Sequence, residues 1–180
     1  MIRDEIVVLF PSDITADDII SMFMDRCNHP DIGTLYPILE KQELNAKPTK
    51  NKMSVDVTFK NPMPWATKLF LDTDLIQTSA YIQRMKDGSI IMVNNNKTGT
   101  GIVHTEHTST WIPDPSGGFS CRSVLTFTFS NPVAEKSAHL VRDEFFRGWR
   151  KDMEGIPHLT QQVKKWKQGI SDPTPPPQEQ

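Results

Sequence analysis

Phe119-Ser-Cys-Arg-Ser-Val-Leu-Thr-Phe-Thr-Phe129 alternates strictly, with Phe119, Cys121, Ser123, Leu125, Phe127 and Phe129 sharing one side of an extended chain. Beyond Val133 the period changes: Ala138, Val141, Phe145 and Trp149 recur three, four and four residues apart, which is the stripe of an amphipathic helix. Arg142, Arg147, Arg150 and Lys151 are left for its other faces. A long strand feeding directly into a long helix decides the fold, and the rest of the chain supplies the sheet.

Upstream, Met53, Val55, Val57 and Phe59 alternate with Ser54, Asp56 and Thr58, so one face of that strand is buried. Thr78 to Met85 reads as a strand, Asp87-Gly88 as a hairpin turn, Ile90 to Val93 as its return, and Ile102 to Ile112 as the next strand. Asn94 to Gly99 and Pro113 to Gly118 read as turns. At the N-terminus, Glu5 to Phe10 is a short strand. A helix follows, with Thr15 as N-cap, Asp17 and Asp18 in its first turn, and Ile19, Ile20, Phe23, Met24 and Cys27 on one face. His29-Pro30 ends it, because the residue before a proline is pushed out of the helical region. Leu35 to Leu44 reads as one strand. The order predicts an α+β, helix-grip (START-like) fold: a curved antiparallel β-sheet wrapped around a long C-terminal helix, with an N-terminal helix. Gly155 and Pro157 are expected to kink or end the long helix, and His158 to Gln168 to resume it with Trp166 inward.

One segment interrupts the sheet. Pro62-Met-Pro-Trp-Ala-Thr-Lys-Leu-Phe-Leu71 is apolar and lies inside an insertion of roughly twenty residues between two strands, a loop length that is uncommon and usually functional. It reads as a lid over a hydrophobic cavity. The tail from Ser171 to Gln180 is proline-rich with nothing to bury, so residues 1–169 form one domain and 170–180 a disordered end.

At 180 residues, with net charge −2 and 23% charged residues, the chain has room for one sizeable core and lacks the broad basic footprint of a nucleic-acid binder. No run approaches the ~20 apolar residues of a membrane span, and acids at Asp4 and Glu5 stand where a cleavable address would be basic. Cys27 and Cys121 are expected to be free thiols, not a disulfide or a zinc pair. His104-Thr-Glu106-His107 offers no convergent metal set, because on a strand His104 and Glu106 face one way and His107 the other. No catalytic set, metal or cofactor is expected.

These residues resemble a PRELI-like (slowmo-type) domain, the intramitochondrial phospholipid transfer family, from about residue 5 to residue 168. Leu9-Phe-Pro-Ser-Asp13 followed by Arg26-Cys-Asn-His-Pro30 is similar to the family's opening. Pro64-Trp65 with Leu69-Phe70-Leu71 resembles its lid, and Val103 to Trp111 its Val-x-x-Glu-x-x-x-Tyr strand. The resemblance implies a protein that is not an enzyme but extracts one phospholipid, encloses its chains between sheet and helix, and releases it at another membrane. At about 0.8 kcal/mol per methylene, two acyl chains represent on the order of 25 kcal/mol to be offset in transit.

By the same resemblance, Trp65, Leu69, Phe70 and Leu71 contact the membrane and cover the chains. Arg26, Lys60, Arg147, Arg150 and Lys151 are placed to meet the headgroup. The strand before the lid offers only Lys60 as a clear basic match, beside Asp56, which counts against phosphatidic acid and leaves phosphatidylserine or a neutral headgroup open. The implied partner is a small helical protein with twin cysteine pairs, and the implied compartment the mitochondrial intermembrane space, with the cytosol equally compatible with the N-terminus. Three other readings share parts of the pattern: a helix-grip module for another hydrophobic ligand, an aromatase- or cyclase-like enzyme using His104, Glu106 and Arg122, and an interaction domain without a cavity.

Overall fold

The computed structural model describes residues 1–61 and 73–170. The segment read as a lid and the tail beyond Ile170 lie outside the described residues. Seven strands form one antiparallel sheet in the order β1-β7-β6-β5-β4-β3-β2: β1 Ile2–Leu9, β2 Leu39–Leu44, β3 Lys52–Lys60, β4 Leu75–Arg84, β5 Ile90–Asn96, β6 Val103–Pro113 and β7 Phe119–Phe129. Helix α1, Ala16–Asp25, continues as a 3₁₀ turn over Arg26–Asn28. Helix α2 is the single turn Ile32–Leu35, and α3 runs from Pro132 to Lys167. Every neighbouring strand pair but one is consecutive in sequence. The exception is β1, which pairs with β7 and brings the N-terminus beside the strand that launches α3.

The register sets what faces α3. One row crosses the inner face as Val55, Ala80, Asn94, His107, Leu125 and Asp4, residue opposite residue through successive strands. The next row is Met53, Ile82, Met92, Ser109, Ser123 and Ile6. Val55, Ile82, Ile90 and Trp111 are almost wholly buried on this face, each apolar side chain stabilising the fold by about 1.5–3 kcal/mol. Ser109 and Ser123, also fully buried, satisfy each other at 2.7 Å, so two hydroxyls enter the core without a large desolvation cost.

α1 is fixed at its start by a capping box. The Thr15 hydroxyl accepts from the Asp18 N–H, and the Asp18 carboxylate accepts from the Thr15 N–H at 2.8 Å. Its Ile19, Met22 and Phe23 are buried against the sheet and α3. Ion pairs Lys164–Asp18, at 3.2 Å, and Lys167–Asp25 join α1 to the end of α3. Nearer the middle of α3, Arg150 clamps Asp4 of β1 with two guanidinium nitrogens, which also holds that carboxyl below its usual range.

Four local expectations need correction. α3 is one continuous helix of 36 residues through Gly155 and Pro157. The lost N–H at Pro157 is offset by burial of Ile156, Pro157, Leu159 and Thr160, so packing overrides the local breaker. Trp166 is not inward: it is 36% exposed and lies tilted against His29, with ring centroids 5.5 Å apart. The segment from Leu35 to Leu44 begins as the last residue of α2, and the strand starts only at Leu39, beyond Pro37. Asn94 to Asn96 extend β5 instead of turning, because the Asn96 side chain joins strand β6. Its Nδ2 donates to the Val103 carbonyl at 2.9 Å, and its Oδ1 accepts from the Thr105 N–H at 2.7 Å.

The turn before β7 depends on glycine. Gly118 has φ +75°, and a Cβ there would stand 2.4 Å from the Pro11 carbonyl oxygen and 2.6 Å from that of Phe10. Gly118→Ala is expected to cost about 2 kcal/mol or more, measured by urea unfolding, since both the left-handed backbone and the close approach oppose a side chain.

Candidate functional site

Where α1, β3 to β6 and the middle of α3 converge, the side chains leave an interior cavity. Its walls are Val57, Phe59, Ala80 and Met92 from the sheet, Met153 and Ile156 from α3, and Phe23 with Tyr36 at the α1 end. Arg26, Asn94, His107 and Trp111 also line it, among the described residues. The room open to the centre of a water-sized sphere is about 40 Å³, enough for a few waters. Ligand pockets are typically about 300–1,000 Å³, so a lipid enters only if the walls part. Met92 and Met153 both line this space, and unbranched thioether side chains re-pack more readily than branched ones.

Arg26 is the unusual member. It is 4% exposed, and no carboxylate among the described residues lies within ion-pair distance of it. Its Nε donates to Gln42 Oε1 at 2.9 Å, and the Gln42 amide in turn donates to the Phe23 carbonyl. Its guanidinium lies 5.1 Å from the Phe23 ring centroid and 5.7 Å from that of Tyr36. Two aromatic faces and one amide hold a planar cation in place, yet supply no opposite charge. Burial accordingly lowers the Arg26 pKa and pushes the Tyr36 hydroxyl up to about 12.

Other polar groups around the space are neutral and underused. Asn94 Oδ1 and Trp111 Nε1 are buried without a hydrogen-bond partner, as is Trp149 Nε1 beside the cavity. His107 sits opposite Asn94 across β5 and β6, under the edge of Trp149 at 5.7 Å, with its Nε2 3.1 Å from the Ser109 hydroxyl. Desolvation pulls its pKa down to about 4, so it is an uncharged imidazole at neutral pH. On α3, desolvation raises the Asp152 carboxyl to about 6.

Of the five basic residues assigned to the headgroup by resemblance, the structure brings only Arg26 to the cavity. Lys60 points outward from β3 toward Glu40, 3.5 Å away. Arg147 and Lys151 are exposed on α3, and Arg150 is spent on Asp4. Spaced three and four residues apart, the three share an exposed side of α3, and the buried side is taken by Phe146, Met153 and Ile156. The membrane-contact residues Trp65, Leu69, Phe70 and Leu71 lie outside the described residues. His104 and Glu106 are exposed on β6, and Arg122 is bonded to Glu5 on the outer face of β1 and β7, so these three do not form a cavity site. Among the described residues no group of His, Cys, Asp and Glu is arranged to hold a metal. Both cysteines are free, and burial raises Cys121 to about 11.

Asn94, His107, Trp111 and Tyr36 were not singled out from the sequence as site residues. The signal for Asn94 and His107 was present: each is a polar residue at an inward position of an alternating strand, where solvent cannot satisfy it.

No family model matches the chain, and no curated protein matches it. Solved structures do. The Zhui aromatase/cyclase of a Streptomyces species superposes with TM-score 0.55 at 11% identity, over 94% of this chain and 98% of its own. Human STARD10 gives 0.54 at 11% identity over 93% of this chain and 65% of its own. TTHA0849 of Thermus thermophilus gives 0.54 at 12% identity over 92% and 97%. At such identities the likeness establishes the fold: this chain has the helix-grip architecture.

The pH dependence of stability follows from His107. Its folded pKa, about 4, lies below the ordinary 6.5, so the folded state resists the proton that the unfolded chain accepts. The stability is fully present above pH 6.5 and is lost as the pH falls toward 4. Asp152, raised from 3.8 to about 6, acts oppositely, its contribution fading as the pH rises through 6. Comparing His107→Phe with wild type isolates the first effect. The variant's melting temperature relative to wild type is expected to climb steadily as the pH is lowered from 6.5 to 4, and a constant offset would show that folded His107 takes up its proton at the same pH as the unfolded chain.

Proposed function

We propose that this chain is a lipid-transfer protein that takes up a single anionic phospholipid, phosphatidic acid or phosphatidylserine, from one membrane and delivers it to another. The observation that carries the reading is Arg26, a buried guanidinium without a carboxylate among the described residues, held by Phe23, Tyr36 and Gln42 at the wall of a cavity whose other described lining groups are uncharged. Burying a charge without a partner costs several kcal/mol, which a binding role explains and a structural role does not. A phosphate oxygen pair is the shape that a guanidinium fork accepts best.

The acyl chains would displace side chains of the cavity, with Met92 and Met153 the most adaptable of its walls. The apolar segment containing Trp65, Leu69, Phe70 and Leu71 supplies the membrane contact in this reading. Such a role involves no covalent chemistry and no cofactor. By the family resemblance, the setting is the mitochondrial intermembrane space and the partner a small twin-cysteine helical protein.

A second reading, a helix-grip module for a smaller hydrophobic ligand with an acidic group, is favoured by the cavity's present 40 Å³. Transfer of labelled phosphatidic acid, phosphatidylserine and phosphatidylcholine between liposomes separates the two. The proposal expects selective movement of an anionic lipid, slowed by Trp65→Ala, and no movement of any lipid by a folded sample would favour the smaller ligand.

Arg26→Met gives a sharper expectation, because it removes charge while keeping bulk. Anionic lipid transfer is expected to fall at least about tenfold, whereas urea unfolding should show stability within about 1 kcal/mol of wild type or above it. A large loss of stability with transfer retained would make Arg26 a structural residue.

A further inference from the structure

Gln42 meets Arg26 from the sheet, and two features bring it there. The first is a β-bulge in the edge strand β2. Leu39 lies opposite Phe59, yet Lys41 already lies opposite Thr58, so Glu40 is an extra residue and the pleat changes phase. Gln42 therefore stands opposite Val57 on the cavity side, while Lys41 and Glu43 point outward and pair with each other at 2.8 Å. Unbulged alternation from Leu39 would turn Lys41 and Glu43 inward and Gln42 out. The second feature is the choice of an amide. Gln42 Oε1 accepts from Arg26 Nε at 2.9 Å, and Gln42 Nε2 donates to the Phe23 carbonyl in the last turn of α1. An amide does both without bringing charge. A carboxylate would accept from Arg26, cancel its charge and have nothing to donate to Phe23. With Nε taken, the guanidinium keeps Nη1 and Nη2, which have no hydrogen-bond partner among the described residues.

We propose that Gln42 is the positioning residue of the anion site: it holds Arg26 by Nε, leaves the cation uncancelled, and so presents Nη1 and Nη2 end-on to two oxygens of one ligand group. This rests on the reading of Arg26 as the anion-binding group and deepens it by naming how the anion docks. The rings of Phe23 and Tyr36 lie 5.1 and 5.7 Å from the guanidinium carbon and Gln42 occupies the Nε edge, so the edge between the terminal nitrogens is the one left for a ligand. A phosphate and a carboxylate both offer the paired oxygens that such a fork accepts. As a purely structural group, Gln42 would tie β2 to α1 and do nothing more.

The test uses the full chain and two pairs of probes below their micellar concentrations: dihexanoyl phosphatidic acid against dihexanoyl phosphatidylcholine, and decanoate against decanol. Each pair shares its apolar chains, so the ratio of affinities within a pair reads the anion site apart from general damage to the cavity. Calorimetric titration is expected to favour the anion in wild type. A preference confined to the first pair names a phosphate, and one confined to the second a carboxylate. Gln42→Glu, by pairing with Arg26, is expected to lower the preference at least about tenfold, and Gln42→Met, neutral and of similar length, about threefold. In the ¹H–¹⁵N spectrum, the guanidinium Nε–H signal missing from Arg26→Met should hold its position when the anion binds, because Gln42 keeps that bond. Gln42→Met keeps the test meaningful should Gln42→Glu fail to fold. A preference that disappears in Arg26→Met but survives both Gln42 variants would make Gln42 a structural tie and overturn the inference while the anion site stands. An Nε–H signal that moves with the anion would overturn the end-on geometry. If wild type shows no preference in either pair, the anion reading fails and this inference with it.

Discussion

A seven-stranded sheet has a whole face to hide, and here one helix of 36 residues must hide most of it. A helix is only about 10 Å wide, so a single one cannot tile a curved sheet evenly. The chain resolves this by pinning α3 along one side. Arg150 grips Asp4 on β1, while Lys164 and Lys167 grip the acids of α1. The other half of the sheet is covered by α1, by Tyr36 and by the tips of Met153 and Ile156, and the cavity opens where these do not meet. A cavity at this place is a consequence of the architecture. What the sequence adds is the identity of the groups around it.

Those groups run against stability. A guanidinium without a carboxylate, an imidazole kept neutral, and indole and amide atoms without partners each cost free energy, and an apolar residue of similar size at these positions would avoid the cost. Elsewhere the same sheet pairs its buried polar atoms carefully, as in Ser109 with Ser123 and Asn96 with Val103 and Thr105. The contrast within one sheet is the strongest physical argument that the cavity is a binding site. Solved structures of the same fold include an aromatase/cyclase, so architecture alone does not separate carrier from catalyst. The polar groups of this cavity among the described residues, one cation with neutral hydrogen-bonding partners around it, fit holding an anion, which is what the carrier reading requires.

The architecture was legible where periodicity is strong. The strict alternation of β3 and β7, and the change of period beyond Val133, define sheet and helix without reference to anything else. Local breaker rules misled at Pro157, because a buried face holds the helix through a missing hydrogen bond, and at Asn94 to Asn96, because an asparagine side chain can join a strand as well as end one. Arg26 was visible as the basic residue closing the first helix, but its burial was not, since that depends on Tyr36 and Gln42 arriving from the following segment. Lys60, Arg147 and Lys151 show the converse: the family resemblance implied a headgroup site, and the pleat of β3 and the turn of α3 direct them elsewhere.

The central claim is that the buried charge of Arg26 exists to meet the charge of one lipid. Native mass spectrometry of the full chain, re-isolated after incubation with liposomes of mixed phosphatidylserine, phosphatidic acid, phosphatidylglycerol and phosphatidylcholine, tests it most directly. The account predicts a one-to-one adduct whose mass identifies an anionic phospholipid, with phosphatidylcholine excluded. A protein recovered free of lipid, or carrying all four in proportion to their abundance, would contradict it.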